Sequence, residues 1–150
     1  MLTKLFGKSG PAAPAAGNIP GSRGLIRNLA DAGAQAVDMP GVSGVRMAVM
    51  FGREHGAPHF SLRQFIVAPG GHSPRHSHDY EHEVYIVSGG GMVLLGGREH
   101  PVRAGDVVYV PADEEHQFRA SPSGGNAPGG MTFLCLVPVS RNCGEATPGS

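Results

Sequence analysis

The sequence predicts an all-β fold, a single domain that closes as a double-sheet jelly-roll barrel, and three observations carry that expectation. From Val45 onward the chain runs in stretches of about five to nine residues rich in Val, Ile, Phe and Met. Turn residues punctuate it at Pro69-Gly70-Gly71, across residues 88–91, at Gly96-Gly97 and at Ala104-Gly105. No stretch in this region requires a helix. A meander of many short strands has long bare edges unless it closes on itself, which is why a barrel is expected rather than an open sheet.

Taken in order, candidate strands cover residues 45–51, 60–68, 76–78, 83–87, 92–95, 107–110, 117–120 and 131–137. The strand at 76–78 is short and extended, and 83–87 and 92–95 are separated by the glycine cluster of 88–91. The 107–110 run opens on the Gly105-Asp106 turn and stops at Pro111. His116 stands at the head of 117–120. In the last strand Phe133, Cys135 and Val137 alternate onto one side. Residues 121–130, Ser-Pro-Ser-Gly-Gly-Asn-Ala-Pro-Gly-Gly, form a loop positioned to cover or line an entrance.

Ahead of the barrel, residues 1–22 carry many breakers and little apolar surface, and are expected to be a flexible arm. The barrel domain is expected over residues 23–139, with a polar tail at 140–150. Leu25, Ile26, Leu29 and Ala30 fit either one or two helical turns or an edge segment, and the residues leave that open. Gly7-Lys8-Ser9 has the end of a phosphate-loop pattern without its preceding glycine, strand or helix, so it is set aside.

With 150 residues, 40% hydrophobic composition and 12 basic against 12 acidic side chains, the chain is long enough for one core and has no net charge to spend on a polyanion. Nucleic acid and membrane are therefore not expected as partners. The first residues contain no apolar core of secretory length, so no signal peptide is expected and the compartment is taken as cytoplasmic. Cys135 and Cys143 are the two cysteines, at a spacing that suits neither a zinc knuckle nor a disulfide framework.

Residues 70–90 hold four of the eight histidines. His76 and His78 are two apart, so on an extended backbone both rings leave one face, as chelation of a single ion requires. Turns at Gly70 and at 88–91 would fold this stretch into a hairpin and return His82 or Glu83 towards the pair. His116, far along the chain, is placed to be the last ligand.

These segments resemble the two motifs of the cupin superfamily. The first family motif runs glycine, five residues, His-x-His, three or four residues, glutamate, six residues, glycine. Gly70, His76 and His78 match it, and the glycine run permits either His82, counted to Gly89, or Glu83, counted to Gly90, at the acid position. The second motif runs glycine, five residues, Pro-x-Gly, two residues, histidine, three residues, asparagine. Gly105, Pro111 and His116 match, while Asp113 stands for the glycine and Ala120 for the asparagine. Arg75-His-Ser-His with Glu81-His-Glu83, and Phe133-Leu-Cys-Leu-Val-Pro138, are similar to small single-domain cupins whose metal is held by four histidines. The resemblance spans residues 45–139 and implies the ligand set His76, His78, His82 and His116, with His82 taken ahead of Glu83.

Four neutral imidazoles leave the charge of a divalent ion uncancelled, which favours an anionic or chelating small-molecule substrate. The donor set suits Mn, Fe, Ni, Cu or Zn, with Mn or Fe favoured. A six-coordinate ion keeps two positions for substrate or dioxygen, whereas zinc held tetrahedrally by all four rings would be structural. Tyr80, Glu83 and Tyr85 are the candidate catalytic residues, with Tyr109 and Arg75 also near in sequence. Glu83 is alternatively a ligand or a hydrogen-bond partner of one. His55, His59, His72 and His100 read as surface or locally bonded histidines. Cys135 reads as a small buried hydrophobe, and the resemblance implies that it approaches the metal cavity. The function expected is a metal-dependent cupin of dioxygenase type. The alternatives are a non-oxidative isomerase or lyase, and a small-molecule-binding cupin with a structural metal. A homodimer is expected from the apolar outer strands and the same resemblance.

Overall fold

Short runs of alternating burial build almost everything in this protein. The structure, a computed structural model, describes residues 17–140. Residues 1–16 and 141–150 lie outside the described residues, and with them most of the expected arm, Gly7-Lys8-Ser9, Cys143 and nearly all of the expected tail. The residues up to Asp31 and those from Ala32 form separate compact units. In the first, β1 (Gly17–Asn18) pairs antiparallel with β2 (Leu25–Ile26), and a single 3-10 turn follows at Leu29–Asp31. Asn28 shapes that turn by accepting the Ala30 amide on its Oδ1 at 2.8 Å. The segment left open in sequence is thus an edge-like strand plus one turn.

The second unit contains β3 (Gln35–Ala36), β4 (Ser43–Phe51), a 3-10 turn at Arg53–His55, β5 (Phe60–His72), β6 (His82–Leu95), β7 (Arg98–Arg103), β8 (Val107–Val110), β9 (Gln117–Ala120) and β10 (Met131–Pro138). Its strands pair antiparallel throughout. β5 pairs with β10, β10 with β6, β6 with β9 and β9 back with β5, so the ladder closes into the expected barrel. β4 and β3 continue the sheet beyond β5, while β7 and β8 add to β6.

β10 shows why these residues make strands. Met131, Phe133, Cys135 and Val137 are buried and the residues between them are not, a period of two that only an extended chain can satisfy. The inward residues join Val67, Val84, Ile86, Val93, Val110 and Phe118 in one core. Each large member contributes about 1.5–3 kcal/mol through burial. Phe133 stacks between Phe65 and Phe118 with ring centroids 5.0 and 4.9 Å away, which fixes the spacing of the strands beneath the histidines.

Three expectations are corrected here. Gly70-Gly71 and residues 88–91 are not turns but lie within β5 and β6. At Gly71 a Cβ would stand 2.6 Å from the Ser43 carbonyl oxygen, so that glycine serves a close approach of β4. The glycines of β6 serve a change of partner, from β10 and β8 over residues 82–89 to β7 and β9 over residues 90–95. Residues 76–78 are not a strand; His76 makes one isolated bridge, to His116. Finally, β7 is a strand that the apolar pattern passes over, because Val102 is its one buried residue. Its hairpin with β6 turns at Gly96-Gly97 as expected, both glycines having positive φ of 60° and 71°, as a two-residue hairpin turn requires. Among the described residues no helix is long and apolar enough to cross a membrane.

Candidate metal centre

Between the end of β5 and the start of β6 the chain is irregular, and it is pinned to the segment before β9 by backbone and side-chain bonds. His76 N–H donates to the His116 carbonyl at 3.2 Å and His116 N–H returns the bond to His76 at 2.9 Å. Asp113 N–H donates to the His78 carbonyl at 2.7 Å. Asp113 holds φ at 64°, the one non-glycine residue with positive φ among those described, at the position where the second motif has glycine. Aspartate is among the side chains that tolerate this region, so the departure from the motif keeps its backbone shape. Ser73 accepts the Phe118 amide on its hydroxyl at 2.9 Å, and Arg75 pairs with Glu115 at 2.7 Å across the two exposed loops.

These bonds bring the two histidine segments face to face. The His76 ring lies 5.1 Å from that of His78 and 4.8 Å from that of His116, centroid to centroid, and His78 and His116 are 4.9 Å apart. Candidate ligand atoms of these three residues lie within 4.8 Å of one another. From β6, the His82 ring comes within 4.3 Å of His78 and 5.1 Å of His116, and its Nε2 contacts Nε2 of His78. The four histidines singled out in sequence are therefore neighbours, three from the irregular segments and one from a barrel strand.

The donor chemistry fits a divalent transition metal. His78 and His116 turn Nδ1 to the carbonyl oxygens of Tyr80 and Glu114, both at 2.8 Å. A ring that donates from Nδ1 is the tautomer with a free lone pair on Nε2, the form that ligates. Nδ1 of His82 lies 2.8 Å from the Cys135 sulfur. Burial, reinforced by neighbouring imidazoles, holds His76 down to about 4 and His82 to about 2, and burial lowers His78 and His116 too. Neutral imidazoles are what a metal needs, and a three-histidine cluster of this kind could hold a metal ion.

A pH effect follows with a definite sign. In the unfolded chain a histidine protonates near 6.5, and in the folded, metal-free protein His76 resists until about 4. Over that window the unfolded state binds more protons, so this contribution to stability is whole above 6.5 and is lost as pH falls through 4. Calorimetry of chelator-treated protein should show a thermal midpoint falling across that window more steeply in wild type than in His76→Gln. Parallel curves for the two would refute the assignment.

The remaining sequence candidates separate cleanly. Tyr80 is half-buried and stacks on His78, rings 3.9 Å apart and 7° from parallel. Glu83 and Tyr85 are exposed while His82, Val84 and Ile86 are buried, so strand alternation sends both out on the opposite face from His82. Of the three residues expected to be catalytic, Glu83 and Tyr85 thus lie on the strand face away from the histidine cluster. They instead border an outer apolar groove with Leu62, Val107, Tyr109 and Leu136. Arg75 is engaged with Glu115. His55, His72 and His100 bond locally, to the Gly52 amide, the Ser73 carbonyl and the Leu95 carbonyl. Cys135 is buried, and with Phe65, Phe118 and Phe133 it walls a small cavity of about 70 Å³ that reaches His76, His82 and His116. Sequence reasoning missed Arg63, which is 2% exposed inside the barrel. It lies two residues before Phe65 on β5, so the strand period alone would have placed it on the inward face.

Comparison with known proteins agrees with this geometry. A family model described as Cupin domain matches residues 63–127. The 1-methylthio-D-xylulose 5-phosphate methylsulfurylase of Rhodospirillum rubrum is 38% identical over 81 residues, 54% of this chain and 49% of that protein, so the match spans about half of the relative's length. The oxalate-binding protein of Thermotoga maritima is 31% identical over 97 residues, covering 62% of this chain and 74% of that protein. Among solved structures, the polyketide cyclase RemF from Streptomyces resistomycificus superposes with a TM-score of 0.69 at 29% identity, over 76% of this chain and 78% of that one.

Proposed function

We propose, from the premise that this chain belongs to the cupin family, that it is a metal-dependent enzyme acting on a small, oxygen-bearing organic molecule by non-oxidative proton chemistry. The observation that carries the reading is the cluster of His76, His78, His82 and His116 beside an apolar cavity inside the barrel. A divalent metal held by these rings would supply Lewis-acid stabilisation to an oxygen of the substrate on which negative charge develops. The protein's own part is to keep the four rings neutral and oriented, to exclude water with Phe65, Phe118 and Phe133, and to move a proton. Tyr80, stacked on His78, is the candidate for that last task.

The methylsulfurylase and the cyclase among the similar proteins are consistent with chemistry at a carbon beside a carbonyl, which is why the non-oxidative reading is set ahead of a dioxygenase. The dioxygenase reading is retained because four imidazoles form a donor set able to leave positions open on a six-coordinate ion. One experiment separates them. Protein loaded in turn with Mn(II), Fe(II), Ni(II) and Zn(II) is incubated with 1,2- and 1,3-dicarbonyls and keto acids in deuterated water, following carbon-bound hydrogen exchange by NMR and oxygen by electrode. The expected result is metal-dependent exchange without oxygen uptake, reduced roughly a hundredfold in Tyr80→Phe. Oxygen uptake matched to substrate loss would transfer the assignment to the dioxygenase. Neither signal with any metal would end the enzymatic reading.

A further inference from the structure

A second and larger cavity, of about 830 Å³, opens beside the first and shares Val37, Met39 and Met47 with it as common wall. That volume is in the range of small-molecule sites, whereas the 70 Å³ space at the histidines admits little more than the reacting end of a molecule. Four ionisable side chains line the larger cavity. Asp38, Arg53 and Glu54 are exposed, and Arg63 is buried. Among the described residues no aspartate or glutamate is buried, so Arg63 is the one buried side chain of fixed charge among them.

The position of Arg63 ties the cavity to the histidines. Its cross-strand partner on β10 is Cys135, whose sulfur meets His82 Nδ1 at 2.8 Å. Facing residues in an antiparallel pair have Cα atoms about 5 Å apart, so one side chain separates the guanidinium's strand position from a candidate ligand. The guanidinium also lies 5.7 Å from the centre of the Phe65 ring, which holds it against the interior face.

We propose that the larger cavity receives the carboxylate or phosphate group of the substrate against Arg63, with the rest of that molecule extending towards the four histidines. For the role of the extended end the proposal rests on the metal-dependent reading above. Arg63 and Arg53 both carry a planar fork that matches two oxygens of a carboxylate or phosphate, but Arg63 alone is buried, and a guanidinium shielded from water interacts more strongly with an anion.

Isothermal titration calorimetry of the full chain tests this, once after chelation and once loaded with Mn(II). The probes are succinate and glycerol 3-phosphate, with the neutral succinamide and glycerol as counterparts. The chelated wild type should bind at least one of the anions and neither neutral compound. Preference for succinate assigns a carboxylate, and preference for glycerol 3-phosphate assigns a phosphate. Arg63→Gln should weaken the anion by at least about tenfold, and Arg53→Gln by less than about threefold. Arg63→Lys keeps the charge without the fork and should bind several-fold more weakly than wild type, which preserves the test if Arg63→Gln does not fold. Wild-type affinity in both Arg63 variants, equal binding of neutral and charged probes, or no anion binding by wild type would each overturn the proposal. Because the chelated protein is measured, anion binding without metal-dependent turnover would sink the enzymatic reading alone. Turnover without any effect of Arg63 would sink this one alone.

Discussion

Replacing His76 or His116 with alanine should empty the metal site, lowering affinity by at least about a hundredfold and the metal retained through gel filtration to near background. The reason is geometric. These two residues pair through backbone hydrogen bonds in both directions, so each ring is delivered to the cluster by the other's segment. The same measurement decides between the two registers of the first motif. His82→Ala should also lose metal, because its ring faces His78 and His116 from a buried position on β6. Glu83→Ala should retain it, because that carboxylate leaves the other face of the strand. Elemental analysis of the four variants, with circular dichroism to establish folding, gives the answer. Metal loss in Glu83→Ala with retention in His82→Ala would reverse the ligand assignment.

That pair of variants also marks how far the residues could be read without coordinates. The His-x-His spacing and the distant His116 are legible because chelation constrains residue type and spacing together, and the four rings are neighbours. The route by which they meet is not the one that spacing suggests. His76 and His78 do not share a strand face, but sit in an irregular segment held by one bridge to His116 and by Asp113. Nothing local in the sequence encodes a contact between residues 40 apart. Tyr80, Glu83 and Tyr85 are equally close to the ligands along the chain, and only the phase of β6, which begins at His82, separates the two that face outward from the one that stacks on His78. Arg63 was hidden for the opposite reason, since its period was readable but a charge on an inward position is easily taken for an edge. β7 escaped because an exposed strand with one buried residue has no apolar run to find.

The glycines of β6 yield the largest expected effect on folding. A glycine cluster has two physical uses, to turn the chain and to let other backbone come close, and composition does not distinguish them. Here the second operates. A Cβ on Gly91 would lie inside the van der Waals envelope of the Arg119 carbonyl oxygen, one on Gly89 would overlap the Gly130 carbonyl oxygen, and one on Gly90 would stand 2.6 Å from the Val102 carbonyl oxygen. All three obstacles are backbone, so no rotamer change relieves them. Together they lie where β6 leaves β10 for β7 and β9, with Gly91 aligned on both Val102 and Ala120. Gly91→Ala should therefore cost about 3 kcal/mol or more and lower the thermal midpoint by roughly 10 °C, or prevent folding altogether. Gly96→Ala is the informative comparison, because nothing lies within 4 Å of its added Cβ and its penalty is confined to the positive φ of the hairpin turn. A left-handed alanine costs about 1–2 kcal/mol. Thermal unfolding of both should rank Gly91→Ala well below Gly96→Ala. If residues 88–91 were the turn that composition suggests, the two variants would instead melt together.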